Sequence, residues 1–194
     1  MLASLLSGCG NAAGSGSGSG AASASASAPP ETRDIVDMEG NTLTIPSDIK
    51  SIAITSWKGA FGACILLGQL DKVSVMADTG RYTWLQHAFP HLKDIPNYGS
   101  FNDVSVEQLL QANPDIVISP SSAADANKKM KELKMPVFVD GITPADADSV
   151  FDDEYAEIDA IAEMTGSKDT ADAFFKWTND LLAEIKSRVD TIPQ

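Results

Sequence analysis

The chain has 194 residues and a formal net charge of −13 at pH 7, and every charged side chain lies after residue 30. Residues 31–194 have the length of about one domain and enough Ile, Val, Leu, Phe and Trp to bury a core. The acidic balance, with only three arginines, excludes a nucleic-acid-binding domain and a polybasic membrane-binding surface.

The N-terminal segment predicts export rather than a folded element. Residues 2–8 are short and apolar and end in Leu6-Ser7-Gly8-Cys9, which resembles the bacterial lipobox. This resemblance implies that residues 1–9 are a truncated lipoprotein signal peptide, whose basic start lies further upstream, and that Cys9 carries a lipid anchor. The alternative is a chance cysteine in a low-complexity leader. Residues 10–32 follow as a flexible tether rich in Gly, Ser and Ala.

The folded part is predicted to open with a hairpin and a buried strand. Apolar and polar residues alternate over residues 33–46 on both sides of Gly40, which is typical of a β-hairpin. Residues 50–55 and 72–77 are β-branched or apolar runs that predict buried strands. Residues 59–67 between them predict an apolar helix that is closed by a glycine.

Strands and helices continue to alternate through the middle of the chain. Helices are predicted over residues 82–89, 105–112 and 122–134, and strands over 115–119 and 136–140. Ser105 and Gln108 form a capping box that starts the second of these helices. The alternation predicts an α/β lobe with a doubly wound, Rossmann-like parallel sheet and helices on both faces. Ligands of such sheets bind beyond the carboxyl ends of the strands.

Two helices are predicted to finish the chain. The first spans residues 152–164, and the second spans residues 168–189 and is about 33 Å long at about 1.5 Å per residue. The apolar face of the second helix is formed by Phe174, Trp177, Leu181, Ile185 and Val189. A helix of this length at the end of a sheet domain is typical of a spine between two bodies. The second body is absent from this sequence.

Three segments in this order resemble the helical-backbone class (class III) of ABC transporter solute-binding proteins, which carry ferric siderophores, haem and cobalamin. They are the hairpin over residues 36–46, the signature Val104-Ser105-Val106-Glu107-Gln108-Leu109-Leu110 followed by residues 113–118, and Met164-Thr165-Gly166 before a long helix. The resemblance implies that residues 33–166 are the N-terminal lobe and residues 167–194 the truncated lobe-linking helix.

That resemblance also implies a function. We expect a monomeric, lipid-anchored, extracytoplasmic receptor that holds a metal chelate between two lobes and delivers it to the permease of an ABC importer. A ferric siderophore is the first candidate ligand, followed by haem or a corrinoid, and no cofactor is expected. The family further implies that Glu107 pairs with an arginine of the permease. The alternative for Glu107 is that it only complements the dipole of its helix.

The ligand is expected to contact loops at the strand ends: residues 56–58, 78–84, 98–101, 119–122 and 140–142. These loops hold two kinds of candidate side chain. Aromatic walls suit flat ligands and cations suit anionic chelates; the aromatic candidates are Trp57, Tyr82, Trp84, Tyr98 and Phe101, and the cations are Lys58 and Arg81. The alternatives are that some of the aromatics seal the core of the lobe and that the cations are solvated.

Other classes of function remain open at this stage but receive less support. The sequence has no nucleophile elbow, no phosphate-binding loop and no Ser/His/Asp order typical of a hydrolase, so we expect no enzymatic activity. His87 and His91 are spaced for a metal site, but Pro90 interrupts their helix, so we expect no metal site. Cys64 is expected to be a buried hydrophobe. A surface-anchored interaction module with a single lobe is the alternative to a transport receptor.

Overall fold

The computed structural model describes residues 31–55, 59–77, 83–100, 103–141 and 150–192. The strands in chain order are β1 (Thr32–Val36), β2 (Thr42–Pro46), β3 (Ile52–Ile54), β4 (Val73–Met76), β5 (Gly99–Ser100), β6 (Asp103–Val104), β7 (Ile116–Pro120) and β8 (Val137–Asp140). The helices are α1 (Gly59–Leu66), α2 (Thr83–Ala88), α3 (Val106–Ala112), α4 (Ala124–Glu132), α5 (Val150–Thr165) and α6 (Lys168–Val189).

A parallel sheet of four strands, in the order β4-β3-β7-β8, forms the centre of the lobe. Its strands are short runs of apolar residues buried on both sides, as expected when helices cover both faces. The prediction of a doubly wound parallel sheet is therefore confirmed. The chain adds β4 on one side of β3 and then returns to add β7 on the other. This reversal creates a switch point between β3 and β7.

The alternation of side chains along each strand divides the core into two layers. Ile54, Ile118 and Phe138 pack with residues of α1 and α5, such as Phe61 and Ile161. The opposite layer combines the intervening strand residues with α3 and α4: Ala53, Val75, Val117, Val137, Val139, Val106, Leu109 and Met130. Asp140, two residues after Phe138, therefore lies on the same face as α1 and α5.

The N-terminal hairpin is confirmed, and Ile35 and Ile45 pack it into the core of the lobe. β1 pairs with β2 in antiparallel register, and the buried Asp37 accepts backbone hydrogen bonds from Glu39 and Asn41 inside the turn. The Met38 N–H donates to the Val139 carbonyl at 3.1 Å, so the hairpin tip meets the outer edge of β8. The Arg33 guanidinium donates to the last carbonyls of α5.

Several short elements were not predicted. The two-residue strands β5 and β6 pair with each other, and a bridge between Met76 and Asn97 lies along the outer edge of β4. The 3₁₀ turns Leu70–Lys72, Pro90–Lys93 and Ser121–Ala123 were also missed. These pieces are too short to show a hydrophobic period.

α6 matches its predicted length, but most of its apolar face is uncovered. Tyr155 of α5 packs its ring against Phe174 and Phe175, which ties the start of α6 to the lobe. Further along α6 the apolar side chains are exposed: Trp177, Leu181, Leu182, Ile185 and Val189. Such a patch is unusual on an isolated soluble domain. Within the described ranges, no helix is long and apolar enough to cross a bilayer.

Candidate functional site

The carboxyl ends of the four parallel strands meet at one edge of the sheet, which we call the strand-end edge. β3 ends at Ile54, β7 at Pro120 and β8 at Asp140. α1, α2 and α4 each begin one short connection after a strand ends, so their first turns lie at this edge. Ligands of open α/β sheets bind there. Of the predicted strand-end loops, the structure describes residues 83–84, 98–100, 119–122 and 140–141.

An open cavity of about 490 Å³ lies at the strand-end edge. It is lined by residues of β6, the end of β7 and the first turn of α4: Asp103, Val104, Pro120, Ser122, Ala123, Ala124, Asp125 and Ala126. Its volume is in the range of small-molecule sites, and its carboxylates and hydroxyl suit polar contacts. The cavity includes part of the predicted loop 119–122, whereas the contribution of Asp103 and Asp125 was not predicted.

A layer of buried polar side chains lies beneath this cavity. The Asn127 amide donates to the Pro120 carbonyl at 2.9 Å, which fixes the end of β7 to α4. The Thr55 hydroxyl donates to the Ile118 carbonyl across the switch point at 3.3 Å. Ser119 is fully buried, and its hydroxyl has no hydrogen-bond partner within the described part of the chain. Buried polar groups are normally satisfied, so the Ser119 hydroxyl is an exception in this layer.

Two carboxyl groups are buried at the same edge on the opposite face of the sheet. Asp140 ends β8, and Glu157 of α5 is 8% exposed and packs directly against Gly59, the first residue of α1. Burial, together with the charges of Asp140 and Glu154, raises the pKa of Glu157 to about 7. Burial also raises the pKa of Asp140 to about 6. Among the described residues, no basic side chain forms an ion pair with either carboxyl. The pair can therefore take up a proton near neutral pH.

Of the predicted ligand-contact residues, the structure describes Trp84 and Tyr98. Trp84 lies at the second position of α2 and is 62% exposed. Tyr98 is only 2% exposed and donates its hydroxyl proton to the Ile54 carbonyl. This burial favours the alternative in which the Tyr98 ring seals the core. The other predicted site residues lie outside the described residues: Cys9, Trp57, Lys58, Arg81, Tyr82 and Phe101.

Glu107 is exposed on the second position of α3. The Ser105 hydroxyl caps this helix and accepts a hydrogen bond from the Gln108 N–H at 3.4 Å. The Glu107 carboxylate accepts a hydrogen bond from the Lys129 ammonium of α4 at 2.6 Å, and this bond holds the pKa of Glu107 below its ordinary value. Glu107 is therefore an ionised and accessible carboxylate at a helix N-terminus. This position suits both of the roles considered for it.

The sequence from the first sheet strand onwards matches a known family. A family model described as "Periplasmic binding protein" covers residues 52–194. The chain belongs to the periplasmic binding protein family. The family is one of substrate-binding proteins, which agrees with the expectation of a binding protein rather than an enzyme. No curated protein matches this periplasmic binding protein in sequence.

Solved structures share the fold of this periplasmic binding protein. A periplasmic solute-binding protein from Veillonella parvula is 18% identical, with a TM-score of 0.71 over 84% of this chain and 50% of its own. A molybdate-binding protein from Haemophilus influenzae, solved with molybdate, is 21% identical, with a TM-score of 0.69 over 78% of this chain and 53% of its own.

A third similar structure is the substrate-binding protein of an iron uptake ABC transporter from Streptococcus pneumoniae. It is 19% identical, with a TM-score of 0.68 over 87% of this chain and 56% of its own. This periplasmic binding protein therefore spans about half the length of the similar structures. At these identities the similarity shows a shared fold.

Proposed function

We propose that this chain forms the N-terminal lobe of an extracytoplasmic receptor that captures a metal chelate and delivers it to an ABC importer. The match of residues 52–194 to the periplasmic binding protein family carries this proposal. The cavity at the strand-end edge supports it, because this is where a parallel sheet of this kind binds ligands. A ferric siderophore is the ligand we favour, followed by haem or a corrinoid.

A second lobe is part of the proposal. Residues 33–166 act as one lobe, and residues 167–194 begin the helix that leads to the other. The exposed apolar face of α6 supports this arrangement, because such a face is stabilised when another body covers it. Closure of two lobes about a hinge would then bury the ligand between their strand-end edges.

The proposed contacts follow from the positions of the strand-end loops. Trp84 offers an exposed aromatic surface one loop beyond the end of β4. We propose that Trp57, Tyr82 and Phe101 extend this wall and that Lys58 and Arg81 neutralise an anionic chelate. Tyr98 supports the edge from within, through its hydrogen bond to Ile54.

The proposed location is the outer face of the cell membrane. Cys9 would carry the lipid, and the tether of residues 10–32 would give the lobe freedom to reach the permease. Glu107 would contact that permease through its exposed carboxylate.

Ligand titration of the full-length natural receptor tests the proposal. We expect a ferric tris-catecholate, haemin or cobalamin to quench tryptophan fluorescence with a Kd at or below about 1 μM, a range typical of specific small-molecule sites. Trp84→Ala should weaken binding about tenfold, because it removes an aromatic contact. Val36→Ala is the control, since this hydrophobic residue of the hairpin is 59% exposed and lies away from α6. A folded receptor that binds none of these ligands would overturn the proposed function.

A further inference from the structure

A second open cavity, of about 480 Å³, lies between the tip of the N-terminal hairpin and α4. We call it the hairpin–α4 cavity. It shares only Ala124 with the strand-end cavity, so the two are separate sites. Its other lining residues all have polar side chains: Glu39, Ser121, Asn127, Lys128, Lys131 and Glu132.

One face of α4 forms a wall of this cavity. Ala124, Lys128 and Lys131 are spaced by four and three residues, so they lie along the same face of the helix. The small side chain of Ala124 leaves space at the first turn, and the two lysines follow it. The wall therefore presents two ammonium groups to a molecule in the cavity.

The lysine donors are not used up by other contacts among the described residues. The Lys131 ammonium lies 3.9 Å from the carboxylate of the buried Asp37, which is beyond hydrogen-bond distance. That carboxylate instead accepts the backbone N–H groups of Glu39 and Asn41. Lys128 forms no ion pair within the described part of the chain. Both lysines can therefore donate to a bound anionic group.

Asn127 adds a buried acceptor without a partner. Asn127 is 6% exposed, and its amide N–H donates to the Pro120 carbonyl at 2.9 Å. Because a carbonyl can only accept, this bond fixes which end of the amide is the donor and leaves Oδ1 as an acceptor. Oδ1 has no hydrogen-bond partner among the described residues, which is costly for a buried polar atom. A bound molecule that supplies an N–H would remove that cost.

The charges that line the cavity select for a molecule that carries both signs. Two ammonium groups, of Lys128 and Lys131, are balanced by two carboxylates, of Glu39 and Glu132. A simple anion would be attracted by the lysines and repelled by the glutamates, and a simple cation would meet the reverse. A molecule with a carboxylate and an ammonium group can be attracted by both pairs.

We propose that the hairpin–α4 cavity binds a zwitterion with the size of a free amino acid or a dipeptide. Its carboxylate would accept from Lys128 and Lys131, and its ammonium group would donate to the Asn127 Oδ1 atom. This site is separate from the chelate site, so the inference does not rest on the proposed function. Asn127 also fixes the end of β7, so the bound zwitterion would stabilise the rim of the strand-end cavity.

Calorimetric titration of the full-length natural receptor with glycine, L-alanine and L-alanyl-L-alanine tests the proposal. We expect at least one of these zwitterions to bind with a Kd below about 1 mM. Propionate and ethylamine carry only one of the two charges and should bind at least about tenfold more weakly. Absence of binding by all three zwitterions up to about 10 mM, or equal binding of propionate, would overturn the inference.

Paired variants locate the binding site. Lys128→Met and Glu39→Gln, both at exposed side chains, should each raise the Kd about 3- to 10-fold, because each removes a charged partner of the zwitterion. The matched controls are Lys176→Met on α6 and Glu163→Gln on α5, which are exposed outside the cavity and should leave the Kd unchanged. If the Lys128 and Glu39 variants bind as tightly as the natural receptor, the zwitterion occupies another site and the inference fails.

Discussion

The Glu157 carboxyl group is buried beside other acidic groups, which makes its charged form unfavourable. Its Oε1 atom is buried with no hydrogen-bond partner among the residues that the structure describes, and the contact with Gly59 leaves no room for a side chain on that glycine. Among the described residues, the groups that interact electrostatically with it are Asp140 at the end of β8, Glu154 on its own helix and the buried thiol of Cys64, whose pKa is raised to about 12. A buried carboxylate in such surroundings is costly, so the protonated form is favoured.

This arrangement predicts that stability falls as pH rises towards neutrality. The pKa of Glu157 is about 7 in the folded chain and ordinarily 4.5, so between these values the folded chain holds a proton that the unfolded chain releases. The contribution of Glu157 to the free energy of unfolding is therefore complete below about pH 4.5 and is lost as pH rises to about 7. The pKa of Asp140 is also raised, so ionisation of Asp140 likewise lowers the free energy of unfolding as pH rises.

Glu157→Gln should remove much of this dependence, because glutamine keeps the shape and cannot ionise. We expect urea unfolding to show that the variant is more stable than the natural chain at pH 8 by about 1–3 kcal/mol, with a smaller difference at pH 5. Glu163→Gln, an exposed position on the same helix, is the control and should follow the natural chain. Equal pH profiles for the Glu157 variant and the natural chain would contradict the prediction.

Residue roles could be predicted where the cause is local. Ser105 was expected to cap α3 because a hydroxyl at that position reaches an N–H three residues on. Tyr98 is predicted to contact ligand, but it is buried and its hydroxyl donates to the Ile54 carbonyl, 44 residues away in sequence. The proximity of Asp140 and Glu157 depends on where α5 lies relative to the end of β8, so no spacing in the sequence indicates it.

At the scale of elements, one glycine inside α1 and one just after it differ in conformation. Gly62 lies in the helix interior, is exposed and has open space where a side chain would begin. Gly68 follows the helix end with a φ of +67°, in the left-handed region, and its N–H donates to the Ile65 carbonyl. The first glycine weakens its helix, whereas the second is required by its turn.

Alanine at these two positions should therefore have opposite effects. Gly62→Ala should stabilise the chain by about 0.5–1 kcal/mol, since alanine favours a helix interior. Gly68→Ala should destabilise it by about 1–2 kcal/mol, because a β-carbon is strained at positive φ. Chemical denaturation of the two variants at one pH measures both values. Two shifts of the same sign would count against the assigned conformations.

Long elements were predictable and short ones were not. α6 is predicted over residues 168–189 and spans Lys168–Val189. The prediction is possible because the helical period of apolar residues repeats several times over 22 residues. α5 was expected to begin at residue 152, but its first described residue is Val150. β5 and β6 have two residues each, too few for any alternation to be visible.

For the whole molecule, the proposed lipid anchor leads to a prediction about the location of the protein in the cell. Cys9→Ser should move the protein from the membrane fraction to the soluble extracytoplasmic fraction, because the thiol that would carry the lipid is gone. Cys64→Ser is the matched control and should stay with the membrane, as this cysteine is buried in the lobe. Immunoblots of both fractions make the comparison. Persistent membrane attachment of the Cys9 variant would show that another feature holds the chain there.

The same blots report the size of the natural protein. The proposal of two lobes predicts a species well above the 20.5 kDa of this chain. A membrane-bound species close to 20.5 kDa would instead indicate that a single lobe acts alone.

The hairpin contact at Val139 has a consequence for solubility. An open sheet leaves unpaired N–H and C=O groups along its outer strands, and these invite edge-to-edge pairing with other chains. Near their carboxyl ends, both outer strands are met by segments from outside the sheet: Met38 bonds to Val139 on β8, and Asn97 bridges to Met76 on β4. These contacts occupy backbone groups at the sheet edges, which reduces the addition of strands from other chains that begins aggregation. Deletion of the first 41 residues would expose the outer edge of β8, and we expect the shortened chain to precipitate more readily during refolding.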